Sequence, residues 1–256
     1  SGTCFADIGN QVYCVDKDKN KIDKLNSGIS PIYEPGLDEL IKKNYNANRL
    51  IFTTDIKKAI NSSDLIFICV GTPTKKGSLK VDLSFVYKCS KEILKHTKKK
   101  KIIITKSTVP VGTGDEIEKI IKKKKKLFSV ISNPEFLREG EAIRDFRYPD
   151  RIVIGSDNKN EFKTMRKLYS PLISKGAKFF TTTRKGAELI KYASNAFLAT
   201  KITFINELAN LCEKTGINVE DISLGMGSPS TLGRILLRSD TAHAGDGSPT
   251  DTQGVD

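Results

Sequence analysis

The chain has 256 residues, 38% of them hydrophobic, with a formal net charge of +13. That is enough apolar material for one large core or two ordinary ones, and it excludes a disordered or fibrous chain. The longest clean apolar run, residues 65–70, falls far short of the roughly 20 residues a spanning helix needs, and no leader-like segment opens the sequence, so a soluble cytoplasmic protein with no membrane partner is expected.

In chain order, residues 1–10 read as the latter half of a helix, which would place a first strand and a glycine-rich turn upstream of Ser1. A strand over 11–15 ends at Asp16, and a Lys-rich helix runs on to about Ser27. Pro35 opens a helix over 36–44; strand 50–53, helix 55–61 and strand 64–70 follow. The alternation continues with helix 82–95, strand 101–106, helix 112–123 and strand 127–132, then strands 151–155 and 177–181 with a helix over 159–172 between them. Apolar strands alternating with amphipathic helices predict an α/β fold: a Rossmann-like doubly wound parallel sheet, lacking its first strand and covered on both faces.

From 185 to about 215, Leu189, Ile190, Ala193, Phe197, Ile202, Ile205, Leu208 and Leu211 recur at helical spacing with no Pro between them. This predicts a helix of roughly 30 residues, ~45 Å long, able to join two domains. Beyond Ser228 the composition turns to Gly, Ser, Thr, Asp and Pro, and an irregular tail is expected.

Cys4, Cys14, Cys69, Cys89 and Cys212 show no paired spacing, and His96 and His243 are the only imidazoles, so neither a disulfide framework nor a metal site is supported. Cys14, Cys69 and Cys212 read as small buried hydrophobes. The lysine runs at 98–101 and 122–126 read as solvated loops or helix ends. They lack interleaved aromatics, which argues against nucleic acid despite the positive charge.

Several residues sit where chemistry is expected. Asp16, ending a strand, can accept hydrogen bonds from both ribose hydroxyls of an adenosine and would repel a 2′-phosphate, favouring NAD over NADP; it can equally cap the following helix. Lys21 could lie beside the adenosine. Gly71, Thr72 and Pro73 follow one strand and Ser107-Thr108-Val109-Pro110 the next, at the sheet edge where open α/β folds bind ligands. Lys191 and Asn195 are i and i+4 on the long helix, so an ammonium and an amide can converge on one oxyanion.

The strings SGISPIYEPGL (27–37), KSTVPVGTG, NPEFLREG, PDRIVIG and AELIKYASNAFLATKITFINELANLCE occur in that order, and over residues 2–227 the chain resembles the UDP-glucose/GDP-mannose dehydrogenase family. Gly140 followed by Glu141-Ala142-Ile143 looks most like the UDP-glucose 6-dehydrogenase branch. The resemblance implies NAD-dependent oxidation of UDP-glucose to UDP-glucuronate, through an aldehyde and a cysteine thioester, in a homodimer built along the long helix. It implies that Thr108 positions a water, that Glu135 acts in acid/base or thioester-hydrolysis steps, and that Lys191 with Asn195 stabilises charge on the sugar oxygen. Glu135, Phe136, Leu137, Arg138 and Glu139 would lie along the UDP-sugar with Lys191 and Asn195, Glu139 nearer the nicotinamide. Cofactor contacts would come from Asp16, Lys21, Gly71, Thr72, Pro73, Thr108 and Glu139. The domains implied are an incomplete NAD-binding domain over 1–183, the central helix and start of a dimerisation domain over 184–227, and the tail over 228–256.

Two departures shape the expectation. The glycine-rich turn is not among these residues, and no cysteine follows Cys212, where residues 244–253 only faintly echo the family's nucleophile loop. Weak binding of NAD and UDP-glucose by this chain, and oxidation no further than the aldehyde, are therefore expected. The alternatives are a non-catalytic binding or dimerisation fragment, and a sister dehydrogenase acting on GDP-mannose.

Overall fold

The computed structural model describes residues 1–227; the tail expected over 228–256 lies outside the described residues. The described residues divide into two compact units, one formed by 1–75 and 80–191, the other by 76–79 and 192–227.

The first unit begins with α1 (Gly2–Asp7), β1 (Val12–Val15), α2 (Lys19–Asn26), α3 (Leu37–Asn46), β2 (Leu50–Thr53) and α4 (Ile56–Ser62). It continues with β3 (Leu65–Ile68), α5 (Ser84–His96), β4 (Lys101–Thr105), α6 (Thr113–Ile121) and β5 (Phe128–Ser132), a short 3-10 turn joining the last two. Then come α7 (Ala142–Arg147), β6 (Arg151–Gly155), α8 (Lys159–Leu168), α9 (Ser170–Ile173), β7 (Lys178–Thr182) and the start of α10 (Arg184–Thr215). Local chemistry sets several starts: Asp18 and Asp55 cap α2 and α4 by accepting from the backbone N–H of Lys21 and Lys58. The helix expected over 159–172 is instead two. Pro171 has no N–H for the Lys167 carbonyl, which accepts from the Ser170 hydroxyl at 2.9 Å.

The strands form two sheets: β1 with β2, parallel, and β3-β4-β5-β6-β7. Within the larger sheet β5 and β6 are antiparallel, meeting at the single pair Ser132 and Gly155, whereas its other neighbours are parallel. The expected doubly wound parallel arrangement is present, with one departure, the antiparallel β5–β6 pair. Among the described residues β1 pairs only with β2 and β3 only with β4. Between β5 and β6 the only helix, α7, is ~9 Å long against ~16 Å for a five-residue strand, so it does not return the chain to the far end of the sheet.

Strand alternation sorts the core onto two faces. Ile104 and Ile131 pack on one face with Phe5, Phe146, Ile154, Met165 and Leu172; Ile103 and Val130 pack on the other with Val86, Ile93, Ile117 and Ile121. Each such side chain contributes about 1.5–3 kcal/mol on full burial. This two-sided covering is the doubly wound arrangement. A third cluster joins Ala6, Ile22, Ile41, Leu50 and Phe52 around the smaller sheet.

Part of the basic charge is structural, which corrects the reading as solvated for Lys101 and Lys124, whereas Lys98, Lys99 and Lys100 are exposed as expected. Lys101 is buried and its ammonium donates to the carbonyls of Asn61 and Ser63 at the end of α4, and Lys124 donates to Leu94 O at 3.0 Å near the end of α5. A cation at the C-terminus of a helix satisfies orphan carbonyls and complements the macrodipole.

In the second unit α10 continues to Thr215 and is followed by α11 (Val219–Gly227). Phe197 and Ile202 are exposed on it, while Ile205 and Leu208 are half-buried. Among the described residues no helix is long and apolar enough to cross a membrane.

Candidate active site

Because β3, β4 and β5 run parallel, the loops leaving their carboxyl ends share one edge. The loops after β3 and β4 are stitched together: Thr72 Oγ1 donates to Thr108 O at 2.9 Å, and Ser107 Oγ donates to Val70 O at 2.7 Å. A Cβ on Gly71 would meet no atom within 4 Å, so the front of this loop is open to a ligand. Cys69, expected to be buried in the strand, lies one residue past β3 and is exposed, because the strand ends with the inward-facing Ile68.

Asp16 follows β1 directly. Its carboxylate takes the Lys21 ammonium at 2.6 Å and the Asp18 N–H at 3.1 Å, and the Lys21 charge holds it below the usual carboxylate range. The two residues read as adenosine contacts are therefore paired with each other. Lys17, next in sequence, sits 5.7 Å from the Phe85 ring centroid in the first turn of α5, which brings the end of β1 to the helix that follows β3.

A cavity of about 40 Å³ opens beyond β4 and β5, lined by Lys106, Asn133, Glu135, Arg151 and Tyr169 among others. That volume holds about one to three waters. Asn133 is fully engaged, accepting from the Tyr169 hydroxyl at 2.6 Å and donating to Val153 O at 3.0 Å, which fixes the start of the loop carrying Glu135. Residues 133–138 are not helical. Glu135 is therefore not the N-terminal acid of a helix, and Glu135 and Glu139 do not share a helix face: Glu135 faces the cavity, and Glu139 lies exposed in the turn with Gly140, whose φ is +79°.

Three cations gather here. The Arg151 guanidinium lies 4.3 Å from the Phe136 ring centroid and the Lys191 ammonium 5.4 Å from it, while Lys106 is only 6% exposed. Burial pushes the Lys106 and Lys191 ammoniums below the usual lysine range, and the Glu135 carboxylate partly restores both. The Glu135 carboxylate thus stands with Lys106, Lys191 and Arg151 close by, while Asp145, which also lines the cavity, is bonded to Arg138. Such a site favours an oxyanion or a carboxylate in a water-poor setting.

Arg138 does not join this group. Its guanidinium bonds Asp145 through Nε at 3.1 Å and Nη2 at 2.8 Å, and its N–H donates to the same carboxylate at 2.9 Å. Glu34, from the 27–37 loop, accepts from Gly140 N at 3.0 Å and pins the turn. Leu137 packs against the core. Asn195 follows Lys191 by one turn of α10 in sequence and belongs to the second unit.

Sequence reasoning assigned no role to Lys106, Arg151 or Glu188, although all three lie in the quoted blocks. A lysine directly after an apolar strand, with no turn residue to carry it to solvent, was the available signal for Lys106. Glu188 is buried and accepts from Gly112 N at 2.6 Å, Gly114 N at 2.8 Å and Ser132 Oγ at 3.2 Å. Asp115, Glu118 and Asp157 bring carboxylates together, but the Arg184 guanidinium bonds all of them at 2.6–2.9 Å and fills the position a metal would need.

Strand-end loops with an acid after β1, an open glycine after β3 and a cation-lined cavity after β5 fit the ligand edge of a dinucleotide-binding α/β domain. The chain belongs to the UDP-glucose/GDP-mannose dehydrogenase family: residues 1–173 match its NAD binding domain and 185–255 its central domain. A UDP-glucose 6-dehydrogenase of Rhizobium meliloti (strain 1021) is 50% identical over 256 residues, covering 98% of this chain and 59% of that protein. UDP-glucose 6-dehydrogenase TuaD of Bacillus subtilis (strain 168) is 47% identical, covering all of this chain and 55% of its own length. Among solved structures, a UDP-glucose dehydrogenase from Pyrobaculum islandicum superposes with a TM-score of 0.85 at 33% identity, covering 91% of this chain and 54% of that one. GDP-mannose dehydrogenase from Pseudomonas aeruginosa gives 0.86 at 34% identity, covering 91% and 55%. The chain thus spans under three-fifths of the length of the relatives it matches.

Proposed function

We propose that this chain carries the NAD-binding and hydride-transfer part of an NAD-dependent enzyme that oxidises UDP-glucose to UDP-glucuronate. The carrying observation is the Glu135 cavity, with Lys106, Lys191 and Arg151 close to that carboxylate, beside loops that suit a dinucleotide. The relatives named for UDP-glucose, at up to 50% identity, favour that sugar nucleotide over GDP-mannose.

Asp16 fits the adenosine ribose, since its carboxylate retains lone pairs beyond the Lys21 and Asp18 bonds, with Lys21 alongside. Gly71, Thr72, Pro73 and Thr108 line the approach to the nicotinamide, and Glu139 is the exposed acid offered to the same ligands. When bound, NAD accepts hydride from the sugar carbon. Lys191 steadies the negative charge that develops on the alcohol oxygen as its proton leaves, with Asn195, read from helical spacing, as the second donor. Glu135 takes or returns that proton, directly or through a water held by Thr108. Phe136 and Leu137 give the sugar an apolar wall, and Arg138 acts by holding the loop through Asp145 rather than as a free cation.

The exposed Phe197 and Ile202 support a homodimer along α10, and the five free cysteines suit a reducing cytoplasm. The test is NADH formation by the protein as the cell makes it, with UDP-glucose and with GDP-mannose. Reduction of NAD with UDP-glucose, lost in Lys191→Ala, is expected; preference for GDP-mannose, or an unaffected Lys191→Ala, would overturn the reading.

A further inference from the structure

Glu188 is 3% exposed, and its carboxylate reaches two other stretches of chain. Oε2 accepts from Gly112 N at 2.6 Å, and Oε1 accepts from Gly114 N at 2.8 Å and from Ser132 Oγ at 3.2 Å. Gly112 and Gly114 open α6, whose N-terminus has no side-chain cap of its own, so the orphan N–H groups there are satisfied from the first turns of α10. These glycines close the loop that begins at Ser107-Thr108. Ser132 ends β5, three residues before Glu135, and Lys191 lies one turn after Glu188 on the same helix.

One carboxylate therefore ties together the segments bearing Thr108, Glu135 and Lys191. The contact is tight: a Cβ at 114 would stand 3.1 Å from Glu188 Oε1 and 3.4 Å from Ser132 Oγ, so the carboxylate would have to give by a few tenths of an ångström. Glu188 lines no part of the cavity beside it.

We propose that Glu188 is a positioning residue that sets Lys191 in register with the Thr108 and Glu135 loops. The proposal rests on the nucleotide-sugar reading for its ligand, but the coupling itself is measurable without one. Burial of the carboxylate raises its pKa, against the three donors, so its placement is not explained by solvation of the charge.

The experiment is hydrogen–deuterium exchange on the full chain, following 107–114, 133–139 and 186–192 in Glu188→Ala, Glu188→Gln and Glu188→Asp. Ile93→Val, a buried change in the cluster that also holds Val109 of the first segment, serves as the stability control. Hydrogen bonds to a charged group are worth about 1.5–3 kcal/mol, so Glu188→Ala should accelerate exchange about tenfold or more in all three segments together. Gln keeps the reach and, through its one acceptor oxygen, the Gly114 and Ser132 bonds, with its NH2 set against the Gly112 N–H, while Asp keeps the charge but is a methylene short. A positional clamp is rescued better by Gln; a purely electrostatic helix cap is rescued better by Asp. Faster exchange confined to 107–114, better rescue by Asp, or the same pattern in Ile93→Val would overturn the proposal. UDP-glucose titrations of the same variants separate the two claims: a weakened wild-type affinity in Glu188→Ala, partly restored in Gln, supports both. Coupled exchange without any UDP-glucose binding in wild type keeps the clamp and removes the proposed ligand.

Discussion

The Glu135 carboxylate influences the charge of Lys191. Burial lowers the Lys191 pKa and Glu135 raises it again, so the carboxylate favours the charged ammonium. A function that needs charged Lys191 should therefore fail on the alkaline side before an ordinary lysine would titrate. In Glu135→Gln this limb should move to lower pH, read from UDP-glucose affinity across an alkaline series; a limb that stays in place would show that the two groups do not interact. Asp145 behaves differently. Burial would raise its pKa, but Arg138 bonds hold it below the usual range, so its contribution is present above the unfolded value of ~3.9 and is lost as pH falls through the lower native value. Asp145→Asn should lose ~1 kcal/mol or less at neutral pH, because Arg138 is more than half exposed, and denaturant midpoints of the two proteins should converge in strong acid. The functional reading of Arg138 illustrates the limit of motif reasoning: position in a block names a neighbour of the ligand, whereas the geometry spends the guanidinium on an acid seven residues on.

At the scale of elements, periodicity located most strands and helices to within a few residues, and β6 coincides with its expected span. The misses share a cause. Short α7, the break before Pro171 and the antiparallel β5–β6 pair depend on how a link returns to the sheet, which leaves no hydrophobic period in the sequence. Gly155 shows the same kind of hidden constraint at the end of β6. A Cβ there would lie 2.6 Å from both Ala187 Cβ and Thr183 O, so β6 packs directly on the start of α10. Gly155→Ala should destabilise the chain by about 1–3 kcal/mol through overpacking, measurable by urea denaturation. The variant should also disturb Lys191, which lies one turn past the displaced start of α10. An unchanged midpoint would show that the close approach relaxes freely.

For the whole molecule, the family and its ligand class were legible because ordered blocks preserve the residues that meet at strand ends. Lys106, Arg151 and Glu188 were not assigned roles because burial, pairing and long-range capping are properties of the assembled chain, not of a motif. The exposed apolar face of α10 belongs to the same scale. Replacing Phe197 and Ile202 by Lys should shift sedimentation toward monomer if that face pairs copies, with the first unit's circular dichroism unchanged. The most direct test of the central claim is NADH formation from NAD and UDP-glucose by the cell-made protein and its Glu135→Gln variant, with GDP-mannose as competitor. The account predicts turnover on UDP-glucose, reduced at least about tenfold in Glu135→Gln and little affected by GDP-mannose. Full activity in Glu135→Gln, or NAD reduction driven by GDP-mannose and not by UDP-glucose, would contradict it.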